Sequence, residues 1–315
     1  MRKLLLASLG ILAMHSSPVQ AQTPDAKEGD AVFSEFAFGS GEKLSDLKIH
    51  YTSLGTPHRD KDGNISNAVM ILHGTGGTGK QFFQPQFANE LFGPGQVLDT
   101  TRYFIILPDN IGHGQSSKPS DGLRMAFPKY DYDDMVTAQY RLVTEKLGIK
   151  KLKLILGTSM GCMHGFVWAT RYPEAVEKLA PFACLPVEIA GQNRMWRKLS
   201  MDAIKADPAW HNGNYTSPPL AGLRTAASLS MIAGANPLAL QAQFPSRDAA
   251  EKFTDEAFQR IALRNDANDI IYQLDSSRTY NPWPHLEKIR TSMLWINSAD
   301  DFINPSNYGI TELAM

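Results

Sequence analysis

The segment Gly157-Thr158-Ser159-Met160-Gly161 holds the residues with the clearest capacity for chemistry, a serine flanked by two glycines. It follows a short apolar run, 152–156, that predicts a buried strand, and it precedes a helical stretch, 160–172. A sharp strand-to-helix turn exposes a serine hydroxyl beside the N–H groups that begin the helix. We therefore expect Ser159 to be a nucleophile and the N–H of Met160 to stabilise the developing oxyanion. A plain tight turn is the alternative.

A second loop, His73-Gly74-Thr75-Gly76-Gly77, directly follows the apolar run 68–72. In a sheet that carries a serine at such a turn, the loop after a neighbouring strand supplies the other oxyanion donor. We expect the backbone N–H of Thr75 to serve as that donor. His73 is interpreted as a packed loop residue rather than a catalytic base.

An acidic loop follows the last predicted strand, 292–296, and contains Asp300 and Asp301. A serine nucleophile needs a base, and the base needs a carboxylate to orient it. Open α/β sheets keep such groups beyond the carboxyl ends of their strands. Asp301 is therefore the candidate acid, and Asp300 is interpreted as a solvated loop residue.

The glycine-rich loop also permits a nucleotide-binding alternative, because residues 74–80 match the phosphate-binding pattern G-x-x-x-x-G-K. Another apolar run, 104–107, leads into Asp109, which also fits this alternative. The pattern requires a hydroxyl after its lysine, but Gln81 stands there. The serine interpretation is therefore preferred.

Several elements must position these loops. Residues 33–38 and 47–54 predict a hairpin through Gly39-Ser40-Gly41, and the amphipathic stretch 131–147 predicts a helix. Short, nearly unbroken apolar runs predict strands buried on both faces; they cover 68–72, 103–107, 152–156, 179–185 and 292–296. Alternating strands and helices indicate an α/β fold with a mainly parallel sheet and helices on both faces. The stretch of about 187–288 has no clear strand pattern, and we expect it to be a helical insertion.

Composition excludes several classes. The 315 residues include 31 Lys+Arg and 32 Asp+Glu, a near-neutral balance that gives no electrostatic footprint for nucleic acid. Residues 1–21 predict a signal peptide cleaved after Ala21, since a cationic start precedes an apolar run too short to span a bilayer. We expect a periplasmic or secreted domain over 22–315, with no membrane span and an undetermined oligomeric state. Cys162 and Cys184 are expected to be buried thiols, with a disulfide as the alternative.

Further motifs resemble the α/β-hydrolase fold superfamily. Residues 107–116 resemble its D-x-x-G-x-G-x-S loop, and Asp301 with Pro305 resembles its D-x-x-x-P acid motif. The resemblance implies an α/β-hydrolase fold with a helical cap and a triad in the order serine, acid, histidine. It also implies a small ester, amide or acyl substrate. No cofactor or metal is expected.

Within that superfamily, residues 160–163 and 207–223 are similar to homoserine O-acetyltransferases. Those enzymes hold their substrate with an arginine where this chain has Ala227. Loss of that guanidinium favours an esterase or amidase over an acyltransferase, which is kept as an alternative. A non-catalytic binding protein is another alternative. Trp196, Trp210 and Tyr215 could line its pocket, although packing in the core is the expected role of each.

The resemblance also implies a histidine about 30 residues beyond the acid, after one more strand. Asp301 is followed by 14 residues, none of them histidine. We therefore expect a chain that stops before the last strand and helix, with impaired activity. His211 or His285 from the insertion could substitute for the missing base.

Overall fold

The computed structural model describes residues 25–261 and 265–314. The predicted signal peptide lies outside these residues. Within them, no helix has both the length and the hydropathy needed to cross a membrane.

Seven strands form one sheet in the order β1-β2-β4-β3-β5-β6-β7. Their bounds are Lys27–Ala37, Lys43–Leu54, Ala68–Leu72, Phe104–Pro108, Leu154–Thr158, Lys178–Phe182 and Ser292–Met293, for β1 to β7 in that order. The hairpin of β1 and β2 pairs antiparallel, as does β2 with β4, and the remaining pairs are parallel. The predicted fold class, a mainly parallel sheet entered through an antiparallel hairpin, is confirmed.

Strand β3 lies at the centre of the sheet, and all five of its residues are buried. Val69 is in register with Ile105 of β4 on one side and with Leu154 of β5 on the other. Helices cover both faces, so an unbroken apolar run is the pattern that such a strand requires. The carboxyl ends of β3 and β5 therefore lie side by side, which brings the loops after Leu72 and Thr158 together.

The helices pack on both faces of the sheet and above its carboxyl edge. The α-helices are Pro85–Leu91 (α1), Tyr132–Arg141 (α2), Met160–Arg171 (α3), Gly191–Ala206 (α4), Leu220–Ala233 (α5), Pro237–Gln243 (α6), Arg247–Ile261 (α7), Ala267–Asp275 (α8) and Ile310–Ala314 (α9). Short 3₁₀ segments cover Gly79–Phe83, Pro119–Asp121, Arg124–Ala126, Pro173–Ala175, Pro208–Gly213, Trp283–Lys288 and Ser306–Tyr308. The apolar residues of α2 and α3 join the main core, together with alternate residues of the sheet.

Helices α4 to α8 occupy the chain between β6 and β7, and they hold a core of their own. Its buried members are Met201, Ile204, Trp210, Leu223, Ala226, Ala267, Ile271 and Leu274. We call these five helices the cap. Its limits as a domain, set at about 187–288 from the sequence, stay a prediction.

Three predicted elements have different bounds in the structure. Strand β5 ends at Thr158 rather than at residue 156, so it leads directly into Ser159. The predicted helix 131–147 divides into α2 and a π-helical turn, Leu142–Lys146. Strand β7 stops at Met293, although Ile296 still donates its N–H to the Pro181 carbonyl. Pro181 has no N–H to return, so the ladder is interrupted at that point.

The expectation of two free thiols is wrong, because Cys162 and Cys184 form a disulfide with their Cα atoms 5.9 Å apart. Cys162 lies in the first turn of α3, and Cys184 lies two residues beyond β6. Since β5 and β6 are neighbours, the helix that follows one strand begins beside the end of the other. The bridge thus joins α3, the helix that begins directly after Ser159, to the carboxyl edge of the sheet.

Removing this bridge is expected to destabilise the fold. It closes a loop with a sequence separation of 22 residues. The chain-entropy model gives about 3 kcal/mol of stability for a loop of that size. The paired variant Cys162→Ala with Cys184→Ala should lower the free energy of unfolding by that amount in urea titrations. A reductant should then leave the variant's midpoint unchanged while lowering that of the parent chain.

Candidate active site

Ser159 occupies a strained backbone position, with φ 53° and ψ −113°. Its N–H donates to the carbonyl of Phe182 on the neighbouring strand, at 2.9 Å. Non-glycine residues rarely adopt positive φ, and such outliers cluster at functional sites. The turn between β5 and α3 therefore has the geometry that the glycine-serine-glycine spacing predicts.

Two cavities meet at Ser159. The first, which we call the cap cavity, has a volume of about 390 Å³. It lies between the cap and the loop of residues 73–77, which we call the oxyanion loop. It is lined by Gly74, Thr75, Gly76, Ser159, Trp196, Arg197, Leu223, Ala226, Ala227, Ser230, Asn265, Ile270, Gln273, Leu274 and Ile303. The second, the acid-loop cavity, has a volume of about 300 Å³. It is lined by Ser159, Ala183, Ala233, Gly234, Ala235, Asn236, Ser298, Asp300, Asp301, Phe302, Ile303 and Asn304.

Thr75 and Met160, the predicted oxyanion donors, lie on the two loops that converge at Ser159. Thr75 lines the cap cavity together with Ser159. Met160 is the first residue of α3, where a backbone N–H has no partner within its own helix. A Cβ atom added to Gly74 would lie 3.5 Å from the Ser159 Cβ, so the two loops are in van der Waals contact. Their role as oxyanion donors stays a prediction.

Two side chains that the sequence did not single out as site residues hold the oxyanion loop. The Gly76 N–H donates to Nε2 of His113 at 3.3 Å, and the Gly74 N–H donates to Oε1 of Gln81 at the same distance. Gln81 also donates through Nε2 to the Thr158 hydroxyl at 3.3 Å, which ties this loop to the serine turn. In the sequence, Gln81 stands where the nucleotide-binding pattern requires a hydroxyl, and this departure was the one sign that Gln81 has another role.

The histidines beneath this loop are neutral at pH 7. Burial lowers the pKa of His73 to about 4 and that of His113 to about 3. Nδ1 of His113 lies 2.9 Å from the Ile111 carbonyl and therefore carries the proton. Nε2 is left as the acceptor for Gly76. His73 is fully buried, as expected for a packed loop residue.

Asp301 lies where the acid was predicted, in a loop that shares the acid-loop cavity with Ser159. Its Oδ1 accepts the backbone N–H groups of Ile303 and Asn304, each at 2.8 Å. Oδ1 of Asp301 therefore holds the backbone of the acidic loop in place. Asp300 is exposed and accepts hydrogen bonds from Ser298 and Asn236, as expected of a solvated loop acid.

None of the described histidines lines either cavity. His211 is exposed on the cap, and His285 is exposed in a different groove, beside Tyr132 and Asp134. The structure therefore brings neither proposed substitute base to Ser159. Of the three aromatic residues considered for a pocket, Trp196 lines the cap cavity, Trp210 is buried in the cap core, and Tyr215 packs against that core.

Charge is divided between the two cavities. Arg197 lines the cap cavity, and Asp300 and Asp301 line the acid-loop cavity. Lys80, the lysine of the nucleotide-binding alternative, pairs instead with Glu28 at 2.6 Å. Among residues 25–261 and 265–314, no group of three or more His, Cys, Asp or Glu side chains could hold a metal ion.

Comparison with known proteins shows the family of the chain. The family profile described as alpha/beta hydrolase fold matches residues 67–309. Homoserine O-acetyltransferase from Pelobacter propionicus is 32% identical over 266 residues, which cover 74% of this chain and 69% of that protein. A homoserine O-acetyltransferase structure from Bacillus anthracis has a TM-score of 0.79 at 24% identity, covering 91% of this chain and 87% of that one. The acetyl esterase MekB has a TM-score of 0.77 at 26% identity, covering 88% and 83%. The chain belongs to the α/β-hydrolase fold superfamily and resembles its homoserine O-acetyltransferases.

Proposed function

We propose that this chain transfers a small acyl group through a covalent acyl-enzyme on Ser159. The strained serine at the junction of two cavities carries the proposal, because it lines one cavity together with Thr75 and the other together with Asp301. The Ser159 hydroxyl attacks the carbonyl carbon of an ester or amide. The N–H groups of Thr75 and Met160 hold the resulting oxyanion, and collapse of the intermediate releases the alcohol or amine.

Two acceptors could complete the reaction. The Pelobacter propionicus relative is named an acetyltransferase of homoserine, which favours transfer to the hydroxyl of an amino acid. The acetyl esterase neighbour, at 26% identity, favours water. Ala227 in the cap cavity also favours water, since it replaces the arginine expected to hold the amino acid.

We further propose that turnover of this chain is slow. Among the described residues no histidine reaches the serine, so no imidazole lies between Ser159 and Asp301 to take the hydroxyl proton. Losing the base of a serine triad costs on the order of 10⁴ to 10⁶ in turnover. The oxyanion donors and the cavities would leave a weak residual activity.

We also keep the exported location as a proposal. A disulfide persists in oxidising compartments and is rare where glutathione and thioredoxin keep thiols reduced. The bridge between Cys162 and Cys184 therefore supports a periplasmic or secreted protein. Intact mass of the product from an exporting host tests this, since cleavage after Ala21 should leave a chain that begins at Gln22.

The acyl-enzyme can be trapped directly. Incubation with 4-nitrophenyl acetate should add one acetyl group to the chain, and peptide mapping should place it on Ser159. Ser159→Ala should remain unmodified. Homoserine added to the trapped intermediate should yield O-acetylhomoserine if the chain is a transferase, whereas acetate alone indicates a hydrolase. Acetylation of Ser159→Ala at the same rate would contradict the proposal.

A further inference from the structure

Helix α5 passes both of the cavities that meet at Ser159. Its residues at positions 223, 226, 227 and 230 recur at the spacing of one helical face, and all four line the cap cavity. Ala233, the last residue of the helix, lines the acid-loop cavity instead. Ala226 and Ala227 are 3% and 7% exposed, so both are buried against the cap cavity. Because each side chain is a single methyl group, the cavity keeps its space at these two positions.

Other elements add aliphatic side chains to the same wall. Ile270 and Leu274 lie four residues apart on α8 and line the cap cavity, as does Ile303 of the acidic loop. The volume of about 390 Å³ is in the range of cavities that enclose a whole small organic ligand. An acetyl group, with its one methyl, would fill only a small part of this space. The cap cavity therefore suits a longer apolar chain.

The larger polar side chains on this wall include two that already bond to the protein. Arg197 is the one charged group among the described lining residues. Its Nε donates to Oδ1 of Asn193 at 3.0 Å, and its guanidinium also hydrogen-bonds with Tyr132. Nε2 of Gln273 donates to the Gly112 carbonyl at 2.7 Å. Because these groups have partners within the protein, they require none from a ligand.

The acid-loop cavity is polar by contrast, and its lining includes Asn236, Ser298, Asp300, Asp301 and Asn304. The base that takes the proton from a nucleophilic serine later gives it to the leaving group, and a carboxylate orients that base. The oxygen of the leaving alcohol must therefore point toward the acidic loop. Since backbone N–H groups hold the oxyanion, the cap cavity remains for the acyl chain.

We infer that the cap cavity binds an apolar acyl chain longer than acetyl, such as butanoyl or hexanoyl, and that the leaving alcohol lies in the acid-loop cavity. The inference deepens the proposed function and rests on it for the chemistry. In that step the Ser159 oxygen forms a bond to the carbonyl carbon, the bond from this carbon to the alcohol oxygen breaks, and the alcohol leaves with the serine proton. Ala227 determines the length of chain that fits.

Acylation of the full chain tests the assignment. 4-Nitrophenyl acetate, butanoate and hexanoate share one leaving group, and intact mass follows how fast each acylates Ser159 at low ester concentration, with Ser159→Ala as the blank. Burial of each added methylene should raise this rate about fourfold. Butanoate should therefore react about 15-fold faster than acetate, and hexanoate on the order of 100-fold faster. Rates that are equal, or that fall with chain length, would overturn the inference.

Binding provides a second measurement that needs no chemistry at Ser159. The full chain carrying Ser159→Ala is titrated with methyl acetate, methyl butanoate and methyl hexanoate by calorimetry. The dissociation constant should fall about fourfold per methylene. Chain-length-dependent binding without any acyl-enzyme would refute only the proposed function. An acyl-enzyme that forms at equal rates from the three nitrophenyl esters, with equal binding of the three methyl esters, would refute only this inference.

Leucine substitutions on α5 locate the acyl chain. Ala227→Leu fills part of the cap cavity and should reduce the gain from acetate to hexanoate to less than about tenfold. Ala233→Leu is the matched control, because it enlarges a similarly buried alanine that lines the acid-loop cavity, and it should keep the full gain. An equal loss in both variants, or a loss in Ala233→Leu alone, would contradict the assignment. The melting temperature checks that each variant folds, and the smaller change Ala227→Val provides the same test if Ala227→Leu does not.

Discussion

Imidazole in solution is expected to raise Ser159-dependent hydrolysis of 4-nitrophenyl acetate by on the order of 100-fold, if this chain lacks the triad base as proposed. The acid-loop cavity has a volume of about 300 Å³ and is lined by both Ser159 and Asp301. Imidazole bound there would take the hydroxyl proton as Ser159 attacks, and the carboxylate of Asp301 would orient its other nitrogen. Initial rates against imidazole concentration should therefore saturate.

Matched variants separate this rescue from catalysis by free imidazole. Ser159→Ala should retain only the linear rate that imidazole gives in solution. Asp301→Asn preserves the Oδ1 atom that accepts the N–H groups of Ile303 and Asn304, so the loop should remain in place. It removes the charge, however, and most of the saturable rate should disappear. A linear dependence in the parent chain, identical to that of Ser159→Ala, would refute this account of the site.

Gly161→Ala is expected to destabilise the chain by about 4 kcal/mol, at the upper end of single substitutions. A Cβ atom at this position would lie 2.1 Å from the backbone oxygen of Leu72 and 2.7 Å from its Cβ. Neither atom belongs to a flexible side-chain end, so the beginning of α3 would have to move away from β3. The urea midpoint should fall accordingly, and any residual activity should fall with it, because Met160 lies in the displaced turn.

Gly39→Ala provides the matched comparison. The added methyl group would meet Asp134 at 3.6 Å, an ordinary contact, and the backbone N–H that donates to this carboxylate is retained. Its free energy of unfolding should stay within about 0.5 kcal/mol of that of the parent. Equal losses in the two alanine variants would show that close packing of α3 on β3 is not what Gly161 provides.

The local pattern of apolar residues was sufficient to predict the main strands of the sheet. The apolar runs at β3 and β4 predicted strands at or within one residue of their observed bounds, since a strand covered on both faces must be apolar throughout. The turn at Ser159 was equally predictable, because the glycine-serine-glycine spacing between a strand and a helix lies within five consecutive residues. The reason for Gly161, its contact with Leu72 on β3, is visible only in the structure. The ends of several strands and helices were predicted less accurately. Strand β7 is short for a reason that lies on another strand, at Pro181.

The disulfide shows where pattern fails. Cys162 and Cys184 are separated by a helix and a strand, and their spacing is equally compatible with two buried thiols. Only the parallel pairing of β5 with β6 places the start of α3 beside the end of β6. His113 and Gly76 illustrate the same limit, since their hydrogen bond joins loops 37 residues apart.

The sequence by itself determined the superfamily, the nucleophile candidate and the acid loop, because each depends on steric rules or motifs confined to a few consecutive residues. The tertiary structure decided which side chains share the space around Ser159. It brought Arg197 from the cap to one cavity and Asp301 to the other, and it brought no described histidine to either. Such juxtapositions depend on how the cap packs over the sheet, and the free energy of that packing is spread over many weak contacts that no short pattern encodes.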